Sequence, residues 1–383
     1  MGLTDIGIAG YRSIRKLRMP LRRLTVLVGG NGVGKTNLYR SLELLSAAAR
    51  GTLAEELARE GGLGSVMFAG ELKTHEERRL VLEATLDELV DGRLAMDFDL
   101  GFPIQYRNEL GFPTVVSAAF ATEAQVKAES LTLLKRGKPV TLMERKGPTA
   151  WARDSDGKRA PVTDPLLATE TMLSSLRGGF PEIDAVRTVM ANWRFFHSFR
   201  TDAGSPLRQP SLAVTSPTLN SDGSNLAAVF ATLRHIRQET VDLDEAIAAA
   251  FPGARLWVPQ PGQQASFAMT FPDMPKRQFG AHELSDGTLQ FLALMGALLS
   301  YRLPPFIALN EPETSLHPAL LPALAATIVK AAERTQVWVV THSRELADAI
   351  AERSGVRPRE VVRRDGATWI DGLNNLGIFA DEE

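Results

Sequence analysis

The sequence predicts an α/β fold with a mixed sheet, an antiparallel β subdomain and a mostly helical insertion. Three observations predict it. Short, nearly all-apolar runs at 24–28, 306–309 and 337–340 read as strands buried on both faces, the first two followed by residues at helical spacing. Alternation between about 80 and 135 reads as antiparallel strands, with Leu94, Met96, Phe98 and Leu100 on one face. From about 166 to 250 helical patterns dominate.

In chain order, residues 3–14 read as a strand leading into a basic stretch of Arg12, Arg15, Lys16, Arg18, Arg22 and Arg23. The apolar run 24–28 enters a glycine-rich turn, beyond which Leu38, Leu42 and Leu45 fall on one helix face. Residues 136–165, rich in Gly, Pro and charge, read as loop with short strands. Asp222-Gly223-Ser224-Asn225 is a run of cap-forming residues ahead of a helix carrying Leu226, Val229, Phe230 and Leu233. A hairpin-like pair at 255–258 and 266–271 leads to Leu284-Ser285-Asp286-Gly287-Thr288, where a helix begins. Pro318 suits the first turn of the helix carrying Leu321, Leu324 and Ile328. Asp365-Gly366 marks a hairpin turn between 361–364 and 367–370. The expected division is 1–135, 136–265 and 266–383: an N-terminal lobe, a helical insertion and a C-terminal lobe.

The chain of 383 residues has a formal net charge of −2, so no overall positive field draws it to nucleic acid or membrane. It has no cysteine, which excludes disulfides, thiolate catalysis and Cys-based zinc sites. The start Met1-Gly2-Leu3-Thr4-Asp5 has neither the basic run nor the apolar core of a signal peptide, and apolar stretches such as 291–299 are too short to cross a bilayer. The expectation is a cytoplasmic protein with no membrane partner.

Gly29-Gly30-Asn31-Gly32-Val33-Gly34-Lys35-Thr36 fits the phosphate-loop pattern G-x-x-x-x-G-K-[ST]. The glycines let successive N–H groups curl around phosphate oxygens, and the following helix points its positive end at them. Lys35 would reach the β- and γ-phosphates of ATP and the Thr36 hydroxyl would ligate Mg²⁺. A plain glycine turn is the competing reading; an apolar strand before the motif and an amphipathic helix after it favour the P-loop. The run 306–309 followed by Asn310-Glu311 has the form of a Walker B strand, with Glu311 the candidate base for the attacking water. Ser285, Asp286 and Gly287 open a helix, another anion site, and His342 follows the strand 337–340. Singly, Ser-x-Gly and a lone His are weak signals; their order gives them value.

In that order these elements resemble the ABC-type ATPase heads of the RecF and SMC group, and more closely RecF-like bacterial ATPases with a short head and no coiled coil. The resemblance rests on Gly30-Asn31-Gly32-Val33-Gly34-Lys35-Thr36-Asn37, on 284–288, on Asn310-Glu311-Pro312-Glu313-Thr314-Ser315-Leu316-His317-Pro318 and on Thr341-His342-Ser343. It covers roughly 1–130 and 265–383. It implies a nucleotide-sandwich homodimer: ATP on one P-loop closed over by Ser285 and Gly287 of the other subunit, residues 315–318 along the seam, and His342 sensing the γ-phosphate. Tyr11-Arg12-Ser13 resembles the segment whose basic residue, here Arg12, approaches the nucleotide.

Two departures stand out. Asn310 occupies the usual Walker B Asp position; an amide supplies no charge, so modest magnesium affinity or slow turnover is expected. No Gln lies between Lys35 and Gln105, leaving Glu71 or His75 in the Q-loop region. In the middle, 193–200 interleaves aromatics with Arg194 and Arg200, with Arg208 beyond; such residues stack on bases or pack a core, and core packing is the simpler reading. The basic stretch 12–23 likewise reads as a solvated face before a DNA contact. Two functions follow: a Mg²⁺-dependent ATPase whose dimer acts on DNA, or a nucleotide-controlled scaffold that holds a separately encoded effector in bacterial defence or toxin control. A transporter motor and a nuclease fit less well, because no Q-loop can be placed and no further acidic metal cluster is evident.

Overall fold

The computed structural model describes residues 1–71, 77–87, 102–113, 120–135, 138–163 and 165–381, with only the backbone of 237–240. The alternation at Leu94–100 and the Q-loop candidate His75 lie outside the described residues. The chain forms two compact units, each from non-contiguous segments: Met1–Arg22, Gly29–Trp193 and Glu360–Glu383 in the first, Arg23–Val28 and Arg194–Arg359 in the second.

The first unit is built on an antiparallel sheet. Its described strands run in the order Ile14–Pro20, Gly2–Tyr11, Leu80–Asp87, Ile104–Gly111, Gln125–Leu133, Val140–Lys146, Thr149–Arg153, Arg159–Pro161. Period-2 patterning gives it one buried face: Ile104, Tyr106, Asn108 and Leu110 point in, while Gln105, Arg107 and Glu109 stay partly exposed. The segment read as loop with short strands is thus a run of successive hairpins extending the sheet. Helix Lys35–Arg50 packs against Pro181–Ala191 and the strand Leu80–Asp87, with Leu38, Leu42 and Leu45 fully buried as their spacing requires. Side chains fasten it at two points: Ser46 donates to the Met190 carbonyl at 2.7 Å and Thr171 to that of Ala48 at 2.7 Å. Glu129, buried in this unit, accepts from the Met172 and Leu173 amides at 2.6 and 3.0 Å and from the Tyr106 hydroxyl at 3.0 Å. The C-terminal hairpin Arg359–Arg364 and Ala367–Ile370 turns at Asp365 and Gly366, with φ of 51° and 76°. Two successive positive φ values match the twist of a two-residue hairpin.

The second unit is built on a parallel sheet in the order Arg194–Phe196, Phe306–Asn310, Gln336–Thr341, Leu24–Val28. Apart from the half-buried Arg194, its residues are buried, as expected of strands covered on both faces. The helix expected after 284–288 runs Asp286–Leu299 and is buried at every position from Thr288 onward. The expected hairpin pairs Arg255–Trp257 with Ala268–Phe271, and Met274–Gly280 adds a third strand. Trp193, the last residue of the first unit, and Phe195, Phe196 and Phe199 of the second are at most 9% exposed; the aromatic stretch is core, with Phe195 against Phe306 at 6.4 Å. Among the described residues no helix is long and apolar enough to cross a membrane.

Candidate nucleotide site

The first unit carries the P-loop. Gly34, at φ 100°, caps helix Lys35–Arg50 without a side chain, and no acidic residue occupies the first turn. The helix thus begins without a capping side chain, which suits an anion. Lys35 is only 3% exposed, and its ammonium donates to the Gly29 and Gly30 carbonyls at 2.7 and 2.8 Å. The loop therefore holds its own cation over its mouth. Thr36, Asn31 and Gly32 are exposed, and a Cβ at Gly30 or Gly32 would meet nothing within 4 Å, so this side of the loop is open. Gly34 is different: a Cβ there would lie 1.9 Å from Thr368 Oγ1 and 2.6 Å from Ser13 Oγ. Asn37 donates to Ser13 Oγ at 2.6 Å.

Arg12, at φ 48°, is drawn into an ion pair with Glu60 at 2.6 Å. Tyr11 donates its hydroxyl to the same carboxylate at 2.9 Å, and burial, together with that negative charge, pushes the phenol above its ordinary range. Glu71 is exposed and its carbonyl accepts from Arg15 at 3.3 Å. Arg18 pairs with Asp5 at 2.8 Å. Much of the basic stretch is thus spent on internal partners.

In the second unit, a further group of candidate residues lies at the carboxyl ends of parallel strands, the usual place for ligands in such sheets. Asn310 pairs in register with Val340 and is fully buried; its amide nitrogen meets His197 Nδ1, while Oδ1 has no hydrogen-bond partner among the described residues. Glu311 follows at φ 50°, its amide held by the Val340 carbonyl at 2.7 Å. A carboxylate residue in left-handed backbone is strained, a feature concentrated at functional sites. Glu313, which sequence reasoning passed over, is the better-held acid. Its Oε1 accepts from Thr341 Oγ1 at 2.5 Å, from the His342 amide at 3.0 Å and from the Ser343 amide at 3.2 Å. His342 Nδ1 lies 3.0 Å from the same oxygen and 3.9 Å from Glu311 Oε2. Glu313 thereby fixes both the backbone and the ring of the candidate sensor. The two acids are visible in the sequence; which one is buried is not.

Ser285 caps helix Asp286–Leu299, accepting from the Thr288 amide at 3.3 Å. Asp286 pairs with Arg208 at 2.6 Å, and Arg208 also donates to the Leu284 carbonyl at 2.8 Å. Arg208, noted in the sequence beyond the aromatic run, fastens the segment entering this helix. A Cβ at Gly287 would lie 2.8 Å from the Ser315 carbonyl, and Ser315 itself sits at φ 67°. Glycine there lets the two loops touch.

The donor set fits the group that the motifs imply. In the first unit, backbone amides, the Lys35 ammonium and the Thr36 hydroxyl suit phosphate; in the second, Asn310 Oδ1, buried without a partner among the described residues, suits a hard divalent cation.

A parallel sheet with a P-loop, an antiparallel sheet and a C-terminal hairpin define the head fold of ABC-type ATPases. The structure is similar to an SMC head bound to the C-winged helix domain of ScpA, at 16% identity and TM-score 0.58, over 98% of this chain and 99% of that one. It is similar to a Pyrococcus furiosus SMC head with an extended coiled coil bound to the C-terminal domain of ScpA, at 14% and 0.55, over 96% and 95%. A Pyrococcus yayanosii SMC head with a coiled coil and joint matches at 10% and 0.55, over 97% of each chain. Residues 132–348 match the family described as "AAA domain, putative AbiEii toxin, Type IV TA system", and the chain belongs to it. Residues 1–52, with the P-loop, match a protein family of unknown function. No curated protein matches the chain.

Proposed function

We propose that this chain is a magnesium-dependent ATPase that works as a nucleotide-sandwich homodimer, acting in DNA maintenance in the manner of RecF-like proteins. The observation that carries the reading is the P-loop, with Lys35 held at 2.7 and 2.8 Å over carbonyls of its own loop. Bound phosphates would replace those carbonyls as the partners of the ammonium. The backbone amides of the loop and the helix start, which has no side-chain cap, would then take the phosphate oxygens. Asn37 closes the loop on its helix side and Arg12 would approach the nucleotide after exchanging its Glu60 partner. Thr36 and Asn310 would hold magnesium, which neutralises phosphate charge when bound. Glu311 would orient and deprotonate the water, and His342, its ring fixed by Glu313, would donate to the γ-phosphate. Ser285, Asp286 and Gly287 would close the site from a second copy. The domain assignment proposed is an ATPase head formed by 1–135 and 266–383 around the insertion 136–265.

Asn310 favours a second reading. An amide in place of a carboxylate gives slow turnover, and slow turnover suits a switch that holds or releases a separate effector. The toxin–antitoxin wording of the family's description points the same way.

Steady-state ATP turnover at several protein concentrations, with and without DNA, tests the proposal. The expected result is turnover per protomer that rises with concentration, falls about a hundredfold or more in Glu311→Gln, and increases with DNA. Turnover strictly linear in protein and unchanged by Glu311→Gln contradicts the sandwich. DNA-independent turnover, with an effector co-purifying and released on hydrolysis, favours the switch.

A further inference from the structure

The C-terminal hairpin reaches back to the P-loop, some 335 residues earlier in the chain. Thr368, on the strand Ala367–Ile370, is 1% exposed. Its Oγ1 donates to the Val33 carbonyl at 2.8 Å. The same Oγ1 lies 2.6 Å from Ser13 Oγ, and Ser13 Oγ accepts from Asn37 Nδ2 at 2.6 Å. The Thr368 amide also donates to the Ser13 carbonyl at 2.7 Å.

Counting protons sets the direction of this chain. A hydroxyl carries one proton. Thr368 spends its own on Val33, so Ser13 must donate to Thr368 and accept from Asn37. The relay runs Asn37 to Ser13 to Thr368 to the Val33 carbonyl, and every hydroxyl in it is both donor and acceptor. Its end point matters for the loop. A trans peptide is planar and its C=O and N–H point in opposite directions. Anchoring the Val33 carbonyl toward Thr368 therefore turns the Gly34 N–H away from Thr368. Glycine is the residue that fits, since any Cβ at Gly34 would collide with both hydroxyls.

We propose that Thr368, acting through this relay, is a positioning residue that presets the Val33–Gly34 peptide for phosphate. The inference rests on the reading of 29–36 as the ATP site. It assigns to the C-terminal hairpin a part in nucleotide affinity that its sequence, with no motif of its own, does not announce.

ATP affinity in the presence of magnesium, measured by calorimetry on the full chain, tests it with Thr368→Val, Thr368→Ser, Ser13→Ala and Lys35→Ala. Thr368→Val keeps the shape and removes the proton, and is expected to weaken ATP binding about tenfold, the effect of one buried hydrogen bond lost with its partner left unpaired. Thr368→Ser restores the donor and is expected to bind within about twofold of wild type, since a twofold change is well under one hydrogen bond. Ser13→Ala, which breaks the relay at a partly exposed residue, is expected to give a smaller loss that is not additive with Thr368→Val. A merely structural threonine predicts a lowered melting temperature with an unchanged dissociation constant. Normal ATP affinity in Thr368→Val while Lys35→Ala has lost it overturns the relay and leaves the P-loop intact. Equal losses in Thr368→Ser and Thr368→Val also overturn it. Normal affinity in Lys35→Ala overturns the ATP site itself. Should Thr368→Val fail to fold, Ser13→Ala decides: wild-type affinity there rejects the relay.

Discussion

Glu313 shows how much one carboxylate can organise. Three donors and the His342 ring converge on Oε1, while Oε2 is buried without a partner among the described residues. Truncation to alanine leaves the Thr341 hydroxyl and two amides unpaired, so Glu313→Ala is expected to destabilise the protein by about 2–4 kcal/mol. It should also slow ATP turnover by releasing His342. Thermal denaturation and steady-state kinetics on the same variant check both; a stable variant with normal kcat contradicts the assignment. Gly287 makes a second test. Its missing Cβ leaves room for the Ser315 carbonyl at 2.8 Å, and Gly287→Ala is expected to cost about 1–3 kcal/mol through a backbone shift. An unchanged urea midpoint would show that the two loops do not depend on that contact. Neither residue was readable in advance as a contact. The acids at 311 and 313 and the glycine at 287 stand in plain sight, but Glu313 meets Thr341 across 28 positions, and no periodicity encodes that.

At the scale of elements, legibility followed burial. The parallel strands were readable because a strand covered on both faces is a continuous apolar run. Val337-Trp338-Val339-Val340 and Leu24-Thr25-Val26-Leu27-Val28 are such runs. The hairpin at Asp365-Gly366 was readable because its turn requires positive φ. The strands of 140–161 were harder: they lie at the far end of the antiparallel sheet, carry many charged side chains and so show weak alternation. The aromatic run at 193–200 was ambiguous because three residues of strand, Arg194–Phe196, are too short to establish a period. The antiparallel sheet also carries a pH dependence. Asp5 pairs with Arg18 on the strand Gly2–Tyr11, yet burial outweighs that attraction and pushes its carboxyl up to about 6. Between the unfolded value near about 4 and the folded value, the native chain keeps a proton that the unfolded chain has lost. That contribution is complete below about pH 4 and is lost as pH rises through about 6. Asp5→Asn is therefore expected to be more stable than wild type by about 1–3 kcal/mol at pH 8 and equal to it near pH 4. Melting curves at the two pH values check the sign, and a destabilised variant at pH 8 reverses it.

At the scale of the whole molecule, the residues proposed for nucleotide chemistry are supported from chain segments far apart in sequence. Gly34 depends on Thr368, Asn310 on His197, and Asp286 on Arg208. The local motifs were legible one by one, because phosphate loops and buried strand ends have local chemical requirements. Their supports were not, because each is a tertiary contact. The central claim is that a second copy completes the ATP site through Ser285 and Gly287. Light scattering of Glu311→Gln with ATP and magnesium tests this most directly, since a variant that binds without hydrolysing accumulates the closed state. The account predicts a dimer mass with ATP, a monomer mass with ADP, and loss of the ATP-dependent dimer in Ser285→Arg with Lys35 intact. A monomer at saturating ATP, or a dimer equally abundant with ADP and with Ser285→Arg, contradicts it.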